Sequence, residues 1–407
     1  MKKVLIALVS ALLLFCFAAT AAAYEDEDWY KGREGEVINV FNWGEYISDE
    51  YSDEDGYIDV NKEFEKLTGI KVNYVTFESN EDMYAKIKNG GASYDIIIPS
   101  DYMIERMIAE GLLQKLDVTK LPNYHYIDDQ YKNLYYDPDN AYSVPYNVGM
   151  VGLIYNTKMV TETPTSWNVL WDSQYIGQIL MIDNPRDAFA IPQKILGQSF
   201  NTADQSDWEA AAKMLIQQKP LLQGYVMDEV FNKMETGEAA MVPYYVGDYI
   251  VMKENNEDLA FVYPKEGVNI FVDAICIPKT AKHYDAAMKY INFLMDPEVA
   301  LANAWYIGYA SPNTAVLEDA DYAEEMGTDQ YLYPDAAHMP KVEYFHNLPQ
   351  ETLTLMSELW NDVKAAGDIP VRVYVGFAAT AAVIVIYAVT KAVQKRRREH
   401  WYDFPEQ

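Results

Sequence analysis

From residue 37 onward the chain switches repeatedly between two hydrophobic periods. Val37-Ile38-Asn39-Val40-Phe41 is a short apolar run of strand type. Val60 to Leu67 repeats apolar positions at helical spacing and stops at Gly69, and Ile70 to Phe77 is extended again. Ser79-Asn80-Glu81-Asp82 has the form of a capping box that opens a helix through Ile87. Gly90-Gly91 closes it, and Tyr94-Asp95-Ile96-Ile97-Ile98 is a strongly apolar third strand. Strands separated by helices predict a parallel α/β sheet. Ligands of such sheets gather beyond the carboxyl ends of the strands, here Asn42 to Tyr46, Thr76 to Glu78 and Pro99 to Tyr102. Aromatic and acidic side chains are concentrated at those ends.

Tyr142 to Asn156 reads as an extended crossover into a second α/β region, with a strand at Ile179 to Asp183 and a helix around Ala188 to Leu196. Ile270 to Ile277 reads as a strand crossing back. Two crossings predict two lobes with a cleft between them, one formed by residues 36–143 and 272–318, the other by 144–271 and 319–370.

Two segments stand outside this pattern. Lys2-Lys3, the apolar run Val4 to Phe17 and the small residues ending Ala21-Ala22-Ala23 have the form of a secretory signal, residues 1–23, cleaved after Ala23. Cys16 follows the bulky Phe15, so it is not expected to carry a lipid, and residues 24–35 form an acidic leader. At the other end, Val373 to Thr390 is a run of 18 uncharged residues between Arg372 and Lys391. A helix over 371–392 is at the short end of what crosses roughly 30 Å of hydrocarbon. The basic cluster Lys395 to Arg398 then places residues 393–407 in the cytoplasm and the large preceding region outside. The alternative, an amphipathic surface helix, is weakened by apolar residues all round the segment. One span is an anchor and cannot be a permease. The expected location is therefore a single-pass cell-membrane protein with an extracellular or periplasmic domain.

Charge sharpens the division. The chain carries −30; without the two signal lysines and the net +3 of residues 371–407, residues 24–370 carry −35. Such a field repels nucleic acid and favours cations, and it also keeps a protein soluble. Only Cys276 remains after signal removal, so no intramolecular disulfide is expected. The chain has no His-Glu-x-x-His, no Gly-x-Ser-x-Gly and no phosphate-binding glycine loop, and its five histidines are scattered. Neither catalysis, a cofactor nor a metal is expected.

Several segments in order carry a family resemblance: Phe41-Asn42-Trp43-Gly44-Glu45-Tyr46, Glu78 to Lys86, Tyr94 to Ser100, Tyr142-Ser143-Val144-Pro145-Tyr146, Pro264-Lys265-Glu266-Gly267, Ile291 to Leu294, Ile307 to Asn313 and Leu332 to Asp335. Over roughly residues 36–367 the chain resembles the extracytoplasmic spermidine/putrescine-binding proteins of ABC importers. The resemblance implies a two-lobed periplasmic-binding-protein-like α/β fold of type II with crossover hinge strands, to which the transmembrane helix is added. It implies a polyamine ligand and, as partners, an ABC permease and its ATPase.

A polyamine is a chain of methylenes punctuated by ammonium groups. Its site needs flat apolar walls and carboxylates at the spacing of the charges, and aromatic rings offer both contact area and a π-face to N⁺. Position by position, the resemblance puts Trp43, Tyr46, Ser100 and Tyr102 on one side. It puts Asp187 and Asn184 on the other, Asn184 standing where the spermidine binders carry an aspartate. Tyr245 and Phe271 replace tryptophans, Asp273 matches the principal amine-binding aspartate, Tyr309 keeps a tyrosine, and His346 falls where a glutamine is usual. Read without the family, Trp43 could be a core residue, but its neighbours Glu45 and Tyr46 favour a site, whereas Asp187 alone is an ordinary acid at a helix start. Asp273, alone in an apolar strand, is costly to bury without a role. Glu45 and Asp101 are possible extra carboxylates, and the choice between putrescine and spermidine stays open. The adjacent Tyr244-Tyr245 keeps an alternative alive, a ferric-iron or other small-solute binder of the same fold.

Overall fold

The computed structural model describes residues 27–51, 57–90 and 93–367. The signal, the anchor and the cytoplasmic tail expected from the sequence lie outside the described residues. Among the described residues no helix is long and apolar enough to cross a membrane. Every element named below lies in the unit that ends at Trp360.

The first group is β1 (Val37–Trp43), α1 (Val60–Thr68), β2 (Lys71–Phe77), α2 (Asn80–Asn89), β3 (Ile96–Ile97) and α3 (Asp101–Ala109). The local signals act as their chemistry dictates. The Asp59 side chain accepts from Lys62 N at the start of α1, and Gly69 ends it in the left-handed region at φ 69°. Ser79 Oγ accepts from Asp82 N at 3.2 Å to open α2. β3 is shorter than expected. The Asp95 carboxylate takes the backbone N–H groups of Asn39, Lys282 and His283, so the chain leaves the ladder to serve a loop.

The second group begins with β4 (Ser143–Asn156), β5 (Ile179–Ile182), α4 (Pro185–Ile195), α5 (Gln205–Gln218) and β6 (Leu222–Val226). It continues with α6 (Glu229–Glu235), β7 (Met241–Tyr245), α7 (Val246–Asn255), β8 (Leu259–Val262) and β9 (Val268–Cys276), and α8 (Tyr284–Leu294), α9 (Pro297–Ile307) and β10 (Val342–Glu343) follow. The strand order is β2-β1-β3-β9-β4-β7-β5-β6, with β10 beside β9 and β8 beside β4.

The sheet as a whole is mixed: the parallel pairing expected for the first three strands is present, and the crossing strands depart from it. β1 pairs in parallel with β2 and β3, and β5 with β6 and β7. The crossing strands β4 and β9 run antiparallel, with Ser143 opposite Cys276 and Met150 opposite Ile270. Local periodicity reports each βαβ unit; it says nothing about the sense in which two strands over a hundred residues apart meet.

β9 is buried throughout, and its alternation sets the site. Val272 and Ala274 are fully buried on the side away from the cavity described below, while Asn269, Phe271 and Asp273 line it. The end of the leader is tied to the domain. Asp28 is exposed, but Tyr30 is fully buried, accepts a hydrogen bond from Asn292 Nδ2 at 2.8 Å and sits edge-on to Phe293. Burying such a ring contributes roughly 1.5–3 kcal/mol, enough to fix this end of the domain against α8.

Candidate functional site

The carboxyl ends of β1, β2, β6 and β7, together with β9, surround a cavity with an empty volume of about 660 Å³, counting the part open to solvent. Its walls are aromatic. Trp43 lies 4.5 Å from Phe77, Tyr46 meets Tyr309 edge-on at 5.2 Å, and Tyr245 meets Phe271 at 5.5 Å between ring centres. Its charges are all of one sign: Glu78, Asp187, Asp228, Asp248 and Asp273 line it, and among the described residues no lysine or arginine does.

Three of these carboxylates are each held by a tyrosine hydroxyl. Tyr46 donates to Asp273 Oδ2 at 2.7 Å, Tyr245 to Asp187 Oδ2 at 2.9 Å, and Tyr309 to Asp248 Oδ2 at 2.7 Å. A phenol orients a carboxylate without cancelling its charge, so the negative charge stays available to a ligand. The second oxygen of Asp273 is buried without a hydrogen-bond partner, as is the indole N–H of Trp43. Burial pushes the carboxyls of Asp187 and Asp248 up to about 7 and that of Asp273 up to about 6, against the opposing pull of the tyrosine hydrogen bonds. Burial also holds the Tyr245 phenol well above its usual range, which disfavours the phenolate that a ferric ion would need. Among the described residues, no group of three or more His, Cys, Asp and Glu side chains is arranged to hold a metal.

Of the residues singled out from the sequence, Trp43, Tyr46, Ser100, Tyr102, Asn184, Asp187, Tyr245, Phe271, Asp273 and Tyr309 all line this one cavity. Asn184 has a double role: its Oδ1 accepts from Arg186 N at 3.2 Å, capping α4, and its Nδ2 donates to Tyr245 Oη at 3.4 Å. Tyr102 donates to Glu81 Oε1 at 3.1 Å, and Ser100 Oγ accepts from Asn80 Nδ2 at 3.0 Å.

Three expected residues do not reach the cavity. Asp101 is fully buried as a structural acid: it accepts from Tyr102 N at 2.7 Å and Val272 N at 3.1 Å, tying α3 to β9. Glu45 has a positive φ of 49°, and its side chain lines a separate depression with Tyr57, Phe231 and Tyr306. His346 is exposed, with Nδ1 3.6 Å from Glu105 Oε2; the preceding residue, Phe345, is the one that faces inward. Neighbours in a non-helical stretch point to opposite sides, so an alignment loose by one position selects the wrong side chain.

The sequence reading missed Asp228, Asp248 and Asn269, and it had Phe77 only within a strand end and Tyr244 only in the ferric alternative. Asn269 was available from the period of two along β9, and Asp248 from its place one helical turn after Tyr245. Asp228 follows a strand, β6, that the hydrophobic pattern had not revealed.

Glycine makes the close approaches possible. A Cβ on Gly247 would lie 1.9 Å from Tyr309 Cδ2. Gly247→Ala is therefore expected to force the Tyr309 ring off Asp248 and to lower stability by about 1–3 kcal/mol, read as a reduced urea midpoint. An unchanged midpoint would show that the ring is not confined there.

A family model for bacterial extracellular solute-binding proteins matches residues 60–328. The chain belongs to this family. It is 35% identical over 334 residues to the spermidine/putrescine-binding periplasmic protein of Salmonella typhimurium, covering 82% of this chain and 92% of that one. Among solved structures it is similar to a putative spermidine/putrescine ABC transporter protein from Listeria monocytogenes, with 39% identity, a TM-score of 0.76 and coverage of 81% and 99%. It is also similar to the spermidine/putrescine substrate-binding protein of Streptococcus pneumoniae, with 36% identity, a TM-score of 0.66 and the same coverage. The architecture is thus the two-lobed α/β fold of binding proteins, and the chain is a transport receptor, not an enzyme.

Proposed function

We propose that this chain captures a polyamine of the putrescine–spermidine class outside the membrane, that residues 371–392 tether it there, and that it delivers the ligand to an ABC permease with its ATPase. The observation that carries the reading is the cavity itself. Aromatic walls suit methylenes, and tyrosine-held carboxylates with no basic residue among them suit ammonium groups. The relatives' names point to the same ligand class.

Their place in that wall supports a ligand-binding role for Trp43, Tyr46, Ser100, Tyr102, Asn184, Asp187, Tyr245, Phe271, Asp273 and Tyr309. Closure of two lobes on the ligand fits the fold, because β4 and β9 carry the chain across beside one another.

Titration calorimetry on the full chain in detergent tests the proposal. Saturable polyamine binding that survives moderate salt is expected, since buried pairs are screened little. Heats that vanish with salt, or binding of ferric citrate alone, would refute it.

A further inference from the structure

A cation that the cavity lining does not include lies behind its wall. Arg186 is 2% exposed and stands in the first turn of α4, next to Asp187 in the chain. The place is unfavourable for it on three counts. Burial penalises the charge, the start of a helix is the positive end of its dipole, and a site of carboxylates beside it would take cations of its own. A guanidinium kept there against those costs must serve its neighbours.

Its contacts show which neighbours. The guanidinium carbon lies over the Phe345 ring, 4.4 Å from its centre, and over the Tyr102 ring at 5.3 Å. Both rings line the cavity, edge-on to each other with centres 5.8 Å apart. Nη2 donates to Asn201 Oδ1 at 3.2 Å and to the His346 carbonyl at 3.4 Å, which fixes the segment that carries Phe345. Tyr102 is held at its other end as well, since its hydroxyl donates to Glu81 Oε1 at 3.1 Å. Glu81, Tyr102 and Arg186 occupy the first turns of α2, α3 and α4, so three helix starts meet around one ring. The buried atoms Glu81 Oε2, Arg186 Nε and Arg186 Nη1 have no hydrogen-bond partner among the described residues. The two opposite charges are thus joined through Tyr102.

We infer that Arg186 is a positioning residue for ligand capture: it holds Tyr102 and Phe345 in the cavity wall from behind, while Glu81 fixes the Tyr102 hydroxyl. This rests on the polyamine reading above. The ligand meets the two rings and never the guanidinium, and the rings keep the two kinds of cation apart. A lysine cannot take over the task, because an ammonium is a compact point charge with no plane to lay over two rings.

Titration calorimetry of the full chain in detergent with putrescine and spermidine tests this, with the ligand-free urea midpoint showing that each variant is folded. Arg186→Gln is expected to weaken both amines about three- to tenfold. By charge alone, removing a cation next to a cation site would tighten binding, so the sign of the change separates positioning from electrostatics. Arg186→Lys keeps the charge and is expected to bind about threefold more weakly than wild type; it carries the test if Arg186→Gln does not fold. Glu81→Met, which removes the acceptor of the Tyr102 hydroxyl, is expected to weaken binding about two- to fivefold. Combined with Arg186→Lys it should lose less than the product of the two separate losses, because both act on one ring. Tighter or unchanged binding by folded Arg186→Gln, wild-type affinity in Arg186→Lys, or losses that simply multiply would overturn the inference and leave the polyamine reading intact. Failure of wild type to bind either amine would overturn both.

Discussion

Asp273→Asn is expected to remove polyamine binding by thirtyfold or more while leaving the ligand-free fold as stable as before, or more so. The substitution keeps shape and a hydrogen-bond acceptor for the Tyr46 hydroxyl, which donates to Asp273 at 2.7 Å. It deletes a charge that is 3% exposed, has one oxygen without a partner and sits on a fully buried strand. Removing one member of a buried charged pair costs about 2–5 kcal/mol of binding. In the ligand-free state no cation faces this carboxylate, so neutralising it relieves a desolvation cost. Thermal melting and calorimetry on the same preparation separate the two effects. A collapse of ligand-free stability would identify Asp273 as a structural acid like Asp101, and unchanged affinity would remove it from the site.

The second large effect is a pair of opposed pH trends. Burial raises the carboxyls of Asp187 and Asp248 to about 7 and that of Asp273 to about 6. Unfolded aspartates titrate near pH 4, so between about pH 4 and 7 the ligand-free native state holds more protons than the unfolded chain. Its stability is therefore expected to fall as pH rises through that window. Affinity runs the other way, because an ammonium pairs with a carboxylate and not with a carboxylic acid. Lowering the pH from 8 to 5 is expected to weaken binding at least about a hundredfold, as two or more of these groups take up protons. Melting curves and titrations at matched ionic strength read both trends. Affinity that stays flat across this range would mean that the three aspartates do not contact the ligand.

How far the sequence foretold this site depends on how far apart in the chain each interaction reaches. α1 and α2 were legible almost to the residue, because Asp59, Gly69 and Ser79 act within a single turn. The cavity-facing residues at the ends of β1 and β9 were legible as strand ends and as an aspartate in an apolar run. The tyrosine–aspartate pairs were not, since their members lie 227, 58 and 61 residues apart. No local pattern marks a hydroxyl that will meet a carboxylate at such separations. Asp101 misled for a related reason: an acid at a strand end serves backbone donors as readily as a ligand, and only the position of Val272 N decides between them. The mixed sense of the sheet was hidden in the same way, in the pairing of β4 with β9.

β9 gives the receptor a separation between what it binds and how it folds. Asn269, Phe271 and Asp273 project to the cavity as alternate teeth of one comb, while Val272 and Ala274 face the packed interior between them. Exchanging Asn269 or Asp273 changes the chemistry offered to the ligand while Val272 and Ala274 keep their places, so new specificities are reachable by single substitutions. Insertion of one residue has the opposite outcome, since it turns all three teeth inward and presents the oily side to the solute. Divergence among transporters built on this strand is thus channelled into replacements at every second position, and length changes are confined to the loops.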